Sequence, residues 1–576
     1  PSRESKAALG DPNVQESNSL CVLDVSASPR VITFIPTGLP FGRNTHGGSS
    51  PSGVAANGES IFVSNGHNDS ITVVNAKTLK RERDIPIRLP GLEGYRGVLP
   101  IGLTIMGKRL LVAEAGINAV GVIEDGKVTG HIPAAWFPTR VAVHNDTIYV
   151  ASAKGFGTGP NANLKESFQA DLRKGAVTVF PFPSDLGAQT DRVLANNGFR
   201  PAQQTAGKLP EQLRNVVIIV KENRTYDELF GVGARFGVKV TPNHHEMARR
   251  WSSGANFYAD SEVSVDGHHW LVGSYPDAWT ESSLMASYGG QKNFRTSTTA
   301  PGRLLFAESN SSVHPEEQPE NGTLWHHLER NKISFRNFGE GFELAGVDEG
   351  EGLKPTGARF QTNIPMPDPL FRNTSRTYAQ YNNNIPDQYR ASQLIAELKT
   401  MKELPRLIFV HLPNDHTAKP RPQDGYPTIA SYVADNDYAL GRIMEYLTRR
   451  PEWKQTAVFV TEDDAQGGVD SVDSHRTVLL VASPYARPGY LSRRHSSFPG
   501  MLKTAFRILR IPPLNLYDAV ASDLSDSFSD KPDLKPFDLQ PADLSVFDPA
   551  RAKEPKDPLP SERMDDPNVL RRQHRK

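Results

Sequence analysis

The chain has 576 residues, too many for a single hydrophobic core, so we expect two or more domains. Its 65 Lys and Arg residues balance 65 Asp and Glu residues, and this zero net charge gives no indication of nucleic acid as a specific partner. A content of 38% hydrophobic and 23% charged residues is typical of a globular protein. The sequence contains no apolar run of about 18 residues, the length that would predict a transmembrane segment. The single cysteine, Cys21, excludes an internal disulfide and a cysteine-based zinc site, and its apolar neighbours predict a place in the core.

Short β-strands repeat through residues 50–155. In each of three copies a proline opens a strand and a second strand follows, and the copies recur with a period of roughly 40 residues. The opening prolines are Pro51, Pro100 and Pro138. This pattern is typical of β-propeller blades, with a generic β-sandwich as the alternative. The strand over 18–24 has the pattern of a third blade strand, so we predict that earlier blades are missing or that the propeller closes in another way.

The repeats also carry a family pattern. Phe62-Val63-Ser64-Asn65 and Tyr149-Val150-Ala151-Ser152 resemble the repeat of the YVTN-type β-propeller family. From this resemblance we predict propeller blades over residues 1–185, with a ligand that the sequence does not name. The Pro-, Gly- and Asn-containing stretch 186–211 is predicted to be a linker.

From residue 212 onward strands alternate with helices. Val216–Val220 is an apolar, mostly β-branched run that predicts a buried strand. Further strands are predicted over 406–412, 456–461 and 478–482, and helices over 393–404, 429–449 and 498–508. This alternation predicts an α/β domain over 212–525 with a mostly parallel sheet and helices on both faces. The Pro-, Asp- and Lys-rich segment 526–576 has no periodicity and is predicted to be an extended tail.

Polar side chains cluster where these strands end. The clusters are Glu222-Asn223 after the first strand, Asp415-His416 after the second, Glu462-Asp463-Asp464 after the third, and Asp470, Asp473 and His475 before the fourth. Carboxylates gathered at one edge of a sheet would repel each other strongly unless a cation neutralised them. Oxygen ligands with some imidazole suit a divalent metal ion.

Three of these segments resemble the motifs of a family. Lys221-Glu-Asn-Arg-Thr-Tyr-Asp resembles the Glu-Asn-Arg-Ser/Thr-Phe/Tyr-Asp signature of the bacterial phosphoesterase family, which contains phospholipases C and acid phosphatases. Leu412-Pro-Asn-Asp-His-Thr and Thr461-Glu-Asp-Asp are similar to further motifs of that family, and all three occur in the family's order. The resemblance places the α/β domain in the alkaline phosphatase superfamily, joined to a YVTN-type propeller.

The resemblance also implies a serine or threonine nucleophile at the start of a helix. The best match is Ser264, followed four residues later by His268. The sequence departs from the family pattern at Asp266-Gly267, where Pro-Asn is usual. Thr225 is the alternative nucleophile, but its position directly after Asn223 favours a role at the start of a helix.

The resemblance implies a division of roles among these residues. One divalent metal ion would be held by Glu222, Asn223, Ser264, Asp463 and Asp464, whereas Asp415, His416 and His475 would line the opposite side of the phosphate, as ligands of a second ion or as phosphate donors. The sequence leaves open one ion or two, and Zn²⁺, Ca²⁺, Mg²⁺, Mn²⁺ or Fe. Ser264 would attack the phosphorus of a phosphate ester, water would then hydrolyse the phosphoserine, and His268 and His475 would complete the catalytic set.

Two other functions remain open from the sequence. In the first, the α/β domain has lost activity and the propeller binds a surface polymer or a partner. In the second, the domain carries out another chemistry of the superfamily, such as phosphoglycerol transfer. A sulfatase would need a Cys/Ser-X-Pro-X-Arg motif, which is absent around Ser264. The chain begins at Pro1 without a signal peptide, and we predict a processed or truncated N-terminus and a periplasmic or secreted location.

Overall fold

The computed structural model describes residues 18–39, 45–161, 174–199, 207–275, 281, 319–341, 368–375, 377–379, 381, 383–465 and 467–553.

The fold begins with a series of antiparallel sheets. The first is the pair β1 (Ser19–Asp24) and β2 (Arg30–Pro36). Two four-stranded sheets and one three-stranded sheet follow: β3 (Pro51–Ala56), β4 (Ser60–Asn65), β5 (Ser70–Asn75) and β6 (Arg81–Pro86); β7 (Pro100–Met106), β8 (Arg109–Glu114), β9 (Ala119–Glu124) and β10 (Lys127–Pro133); β11 (Trp136–His144), β12 (Thr147–Gly155) and β13 (Ala176–Pro181).

Neighbouring sheets pack face to face, as blades do. Val112 of β8 packs with the preceding sheet, and its neighbour Leu111 packs with the following sheet, since alternate residues of a strand point to opposite faces. The first strands approach most closely: a Cβ on Gly53 would lie 2.0 Å from the Ile101 carbonyl oxygen, so the glycine of the repeat is required there. The third copy has the exposed Arg140 at the same position. The propeller-like architecture is therefore confirmed.

Two predictions for this region are wrong. Cys21 is exposed rather than part of the core. The predicted linker begins with helix α1 (Leu186–Asn196), which Asp185 caps by accepting a hydrogen bond from the Ala188 backbone. The helix packs on β10, where a Cβ on Gly130 would lie 2.6 Å from Leu186.

The second half of the fold is an α/β domain. Its strands are β14 (Asn215–Lys221), β15 (Ser252–Gly254), β16 (Phe257–Tyr258), β17 (Phe335–Phe338), β18 (Leu407–His411), β19 (Thr456–Glu462), β20 (Leu479–Ala482), β21 (Tyr490–Ser492) and β22 (Ser496–Ser497). Its helices are α2 (Tyr226–Phe230), α3 (Pro242–Arg250), α4 (Ser264–Gly273), α5 (Leu324–Arg330), α6 (Asp368–Asn373), α7 (Asp387–Thr400), α8 (Ile429–Thr448), α9 (Phe498–Leu509) and α10 (Leu516–Val520).

Seven of these strands form one sheet in the order β17-β18-β14-β19-β20-β15-β21. The first four strands are parallel, whereas β20 runs antiparallel to both of its neighbours. Both faces are covered: Val217 and Ile219 of β14 pack in the core that contains α7 and α8, and Val216 and Ile218 pack in the core that contains α5 and α9. The predicted α/β domain is confirmed, with a sheet that is mixed at one end.

The first part of the predicted tail follows the surface of this domain. Phe537 and Phe547 are buried in the core beside α8, and the ring of Phe537 stacks on Trp251 with ring centroids 5.6 Å apart. Most of the aromatic-rich region between 270 and 390, together with residues 1–17 and 554–576, lies outside the described residues. Within the described part of the chain, no helix is long and apolar enough to cross a lipid bilayer.

Candidate active site

Three parallel strands end side by side and place polar residues at one edge of the sheet. Lys221, the last residue of β14, is opposite Glu462, the last residue of β19. On the other side of β14, Val220 is opposite His411, the last residue of β18. Because the strands are in register, the residues that follow them meet at the edge where open α/β sheets place their sites.

Helix α4 begins at this edge and carries Ser264 in its first turn. The Ser264 Oγ atom lies 3.2 Å from Glu222 Oε2, 3.2 Å from Asn223 Oδ1 and 3.1 Å from Asp464 Oδ2. The carboxylate of Asp266 accepts hydrogen bonds from the Glu262 and Val263 backbones at 2.8 and 2.9 Å, which fixes the turn before the serine. The departure from the family pattern at Asp266 therefore has a structural role.

Gly267 explains how the helix can come so close to β19. A Cβ on this residue would lie 2.3 Å from the carbonyl oxygen of Asp463, a distance that real Cβ atoms do not reach. The hydroxyl of Ser261 donates a hydrogen bond to the same carbonyl at 2.9 Å. Helix α4 thus contacts the backbone at the end of β19 directly, and this contact brings Ser264 to Asp464.

The group around Ser264 is buried and rich in oxygen atoms. Glu222, Asn223, Ser264, Asp463 and Asp464 are all at most 6% exposed. Asn223 adopts the left-handed conformation, with φ of 66°, and its side-chain oxygen faces carboxylate oxygens of Asp463 and Asp464 at 3.1 Å. Burial, and then the negative charge of Glu222, raise the pKa of Asp463 well above its usual value. These donors fit a hard divalent cation, which would offset the repulsion among them.

Two histidines meet the other oxygen of Glu222. His411 Nε2 lies 2.8 Å from Glu222 Oε1, and His268 Nε2 lies 3.7 Å from the same oxygen and 3.5 Å from Asp463 Oδ2. Ligand atoms of Glu222, His268 and His411 all lie within 4.8 Å of one another and could hold a metal ion. Glu222 therefore faces two donor groups, one made of oxygen atoms and one that contains two imidazoles.

A further carboxylate orients His268. Its Nδ1 atom lies 2.8 Å from Glu340 Oε2, an arrangement that fixes the ring of a metal-ligating or catalytic histidine. Burial by itself would lower the pKa of His268, but Glu340, Glu222 and Asp463 raise it well above its usual value. Burial alone would raise the pKa of Glu222, but hydrogen bonds from His268 and His411 lower it.

The sequence prediction did not include His411 or Glu340. His411 ends an apolar strand, in which a histidine resembles a core residue. Glu340 follows β17 between Gly339 and Gly341, at the same sheet edge, but the short β17 was not among the predicted strands. A charged residue between two glycines was the signal that could have found Glu340.

Two predicted residues are turned toward other partners. Asp415 Oδ2 lies 2.8 Å from the Lys221 ammonium, and Asp415 Oδ1 accepts a hydrogen bond from the Glu222 backbone at 3.0 Å. His416 Nδ1 lies 3.3 Å from Asn383 Nδ2. None of these contacts involves the Ser264 side chain, and the assignment of Asp415 and His416 as ligands or phosphate donors stays a prediction.

His475 contacts Glu262, which lies close in sequence to the proposed nucleophile. Its Nε2 atom is 3.0 Å from Glu262 Oε2, two residues before Ser264, and its Nδ1 atom is 3.0 Å from Asp473 Oδ1. Burial would lower the pKa of His475, but Glu262 and Asp473 raise it to about 10. The structure thus places His475 beside the start of α4, and its catalytic role also stays a prediction.

Thr225, the alternative nucleophile, caps helix α2. Its hydroxyl accepts a hydrogen bond from the Glu228 backbone at 3.2 Å and donates one to the Val469 carbonyl at 2.7 Å. The Thr225 hydroxyl is therefore both a donor and an acceptor in contacts that stabilise the fold.

Comparison with known proteins locates one family domain. A model of the Phosphoesterase family matches residues 296–509, fewer than half of the chain, and this range contains Glu340, His411, Asp463 and Asp464 but not Ser264. No curated protein matches the chain significantly.

Similar solved structures include three with low sequence identity. A protein of the alkaline phosphatase superfamily from Vibrio parahaemolyticus is 16% identical, over 54% of this chain and 70% of that chain, with a TM-score of 0.34. Virginiamycin B lyase from Staphylococcus aureus is 17% identical, over 30% of this chain and 50% of that chain, with a TM-score of 0.20. Hydrazine synthase from Kuenenia stuttgartiensis is 18% identical, over 23% and 33%, with a TM-score of 0.18. The chain thus spans less than two thirds of the latter two proteins.

Proposed function

We propose that this protein is a metal-dependent hydrolase of phosphoric esters and that Ser264 is its nucleophile. The observation that carries the proposal is the position of the Ser264 Oγ atom, in the first turn of α4 and within 3.1 to 3.2 Å of oxygen atoms of Glu222, Asn223 and Asp464. The Phosphoesterase match over residues 296–509 supports the class of substrate.

Two donor groups would hold metal ions in this proposal. The first consists of Glu222, Asn223, Ser264, Asp463 and Asp464, and the second consists of Glu222, His268 and His411. A bound divalent cation would lower the pKa of the serine hydroxyl and offset the negative charge of a phosphoryl group. The sequence suggested Asp415, His416 and His475 for a second ion, and metal analysis measures the number of ions that the protein binds.

The residues of the chain supply the other parts of the reaction. Carboxylate oxygens of Glu222 and Asp464 lie close enough to accept the proton of the Ser264 hydroxyl. The oxygen of Ser264 then forms a bond to phosphorus while the bond to the ester oxygen breaks and the alcohol leaves with a proton from solvent. Water hydrolyses the phosphoserine and releases phosphate. The N–H groups in the first turn of the ten-residue helix α4 favour an anion at this position.

Hydrolysis of p-nitrophenyl phosphate and bis-p-nitrophenyl phosphate tests the proposal. We expect the wild type to be active with divalent metal ions, and we expect both EDTA and Ser264→Ala to lower kcat by about a thousandfold. Ser64→Ala is the matched control, because Ser64 is also buried and its hydroxyl is hydrogen-bonded, to the Ile101 and Gly53 carbonyls, but it lies in the propeller-like region. Mass spectrometry of acid-quenched protein should detect phosphate on the peptide that contains Ser264.

Two results would overturn the proposal. Full metal-dependent activity in Ser264→Ala would remove the nucleophile. A wild type that hydrolyses neither ester after each of the five candidate metals has been restored would remove the reaction class.

A further inference from the structure

The three-stranded sheet of β11, β12 and β13 is the third blade of the propeller-like region, and a short segment that leaves it contacts the α/β domain beside the candidate active site. This blade segment, residues 156–161, follows β12. Its partner is the β19–β20 loop, residues 467–475, which follows Asp464 and ends at His475. Hydrogen bonds join the two at both ends of the loop, so a residue of the propeller-like region lies close to each end.

Asn161 makes three of these contacts. Its Nδ2 atom donates to the Gly468 carbonyl at 2.7 Å, and its Oδ1 atom accepts from the Asp470 backbone at 2.7 Å. The Asn161 backbone N–H donates to the Asp470 carbonyl at 3.1 Å. The residue is 1% exposed, so these groups could not find water instead if the partners moved away. Asn161 therefore holds the first part of the β19–β20 loop in one position.

Thr158 and Gly159 hold the other end of the loop. The Thr158 Oγ1 atom lies 2.6 Å from Ser474 Oγ and 3.2 Å from His475 Nδ1. The Gly159 backbone donates to Asp473 Oδ2 at 3.1 Å, and its carbonyl accepts from the Ser474 backbone at 2.9 Å. The blade segment thus contacts one side of His475, whose other side contacts Glu262 at the start of α4.

Strand β12 reaches α4 by a second route. The Lys154 ammonium lies 2.9 Å from Glu281 Oε2, and Glu281 Oε1 accepts a hydrogen bond from the Trp270 indole of α4 at 3.4 Å. Glu281 is 6% exposed. The same blade strand therefore supports both the helix that carries Ser264 and the loop that carries His475.

We propose that Asn161 and Thr158 are positioning residues of the phosphoesterase site. They hold the β19–β20 loop so that His475 remains against Glu262, and thereby fix the turn that presents Ser264. This inference rests on the proposed hydrolase function. Small displacements of catalytic groups cost large factors in rate, so the third blade is a part of the catalytic site and not only a separate binding module.

Kinetics of the full chain test this role. We expect Asn161→Ala and Thr158→Val each to lower kcat for p-nitrophenyl phosphate by about tenfold with KM within about twofold, since the site is displaced but the substrate contacts remain. Thr158→Ser keeps the hydroxyl and should restore kcat. Asn197→Ala is the matched control: Asn197 donates two hydrogen bonds at 2.9 Å, to the Ile117 and Val193 carbonyls, away from the loop.

Hydrogen exchange separates this inference from the proposed function. Peptides that cover residues 467–475 should exchange about tenfold faster in Asn161→Ala than in the wild type or in Asn197→Ala, because the Asp470 backbone N–H loses its acceptor, Asn161 Oδ1. An active wild type whose kcat is unchanged in Asn161→Ala and Thr158→Val would overturn the inference and leave the hydrolase proposal standing. Unchanged exchange in this loop would overturn it whether or not the wild type hydrolyses phosphate esters. An inert wild type whose loop exchanges faster in Asn161→Ala would overturn the hydrolase proposal and, with it, the catalytic role of these residues.

Discussion

The first prediction concerns the buried positive charge of Lys221, next to the candidate active site. The Lys221 ammonium lies 2.8 Å from Asp415 Oδ2 and 2.7 Å from Glu462 Oε1, and all three side chains are 0% exposed. Lys221→Met keeps the length and most of the volume of the side chain but removes its charge. Two buried carboxylates would then face each other without the cation between them. We expect a large loss in the free energy of unfolding.

The magnitude can be bounded in two ways. Burial by itself would lower the pKa of Lys221, but Asp415 and Glu462 raise it from 10.5 to about 12, which corresponds to roughly 2 kcal/mol in favour of the charged form. Removing one member of a buried ion pair leaves an uncompensated charge and costs about 3–5 kcal/mol. We expect the larger value, because the first counts only the lysine and omits the two carboxylates that it would leave behind.

Urea unfolding followed by tryptophan fluorescence measures this loss. Trp251 and Trp453 are buried against each other in the same domain, with ring centroids 5.7 Å apart, and report its unfolding. Combining Lys221→Met with Glu462→Gln should restore at least about 1 kcal/mol of the free energy of unfolding, because one unpaired buried charge is removed. As a control, Lys503→Met should cost less, since the Lys503 ammonium donates to two backbone carbonyls, those of Ala519 and Ala521, rather than to buried carboxylates. A loss below about 1 kcal/mol in Lys221→Met would show that the Lys221 charge is not needed to stabilise the two buried carboxylates.

Two further predictions concern packing and pH. Gly267→Ala would place a Cβ 2.3 Å from the Asp463 carbonyl oxygen, so α4 must move; we expect a loss of about 1–3 kcal/mol in urea unfolding and about a hundredfold in kcat. The second prediction concerns His327. Burial, and then the charge of Arg330, lower the pKa of His327 from 6.5 to about 4. The neutral imidazole therefore stabilises the fold above pH 6.5, and this stability is lost as the pH falls through 4. Between pH 7 and 4 the wild type should lose about 3 kcal/mol more than His327→Gln in unfolding free energy.

Each of these predictions has a control. Gly94→Ala adds a Cβ that meets no atom within 4 Å, and it should leave stability and kcat unchanged. A Gly267→Ala protein with wild-type kcat would show that α4 can move without displacing Ser264. If the free energy of unfolding of the wild type and of His327→Gln depended on pH in the same way, the pKa of His327 would be the same in the folded and unfolded states.

Much of the fold was predictable because it follows from local patterns. The apolar, β-branched run over 216–220 forms β14, and the later alternation of strands and helices gives a sheet with helices on both faces. Polar residues that follow parallel strands must share one sheet edge, so the meeting of Glu222 with Asp463 was also accessible to sequence reasoning. The repeat in the first third likewise predicted the antiparallel blade-like sheets.

Patterns of composition failed where packing between elements decides the outcome. Helix α1 lies in a stretch whose prolines and glycines predicted a linker, and it is stabilised by its contacts with β10 around Gly130. Cys21 has apolar neighbours, but the strand that carries it exposes that face. Whether an apolar residue is buried depends on what covers the strand, which local sequence does not contain.

The site shows the same division most clearly. Chain order and strand pattern are local properties, so the sequence was enough to predict that Glu222, Asn223, Asp463 and Asp464 follow buried strands. Only the tertiary structure placed the His411 ring against the Glu222 carboxylate and the Lys221 ammonium against the Asp415 carboxylate. The free energy of a buried charge depends on the partners within a few ångströms, and those partners come from distant parts of the chain.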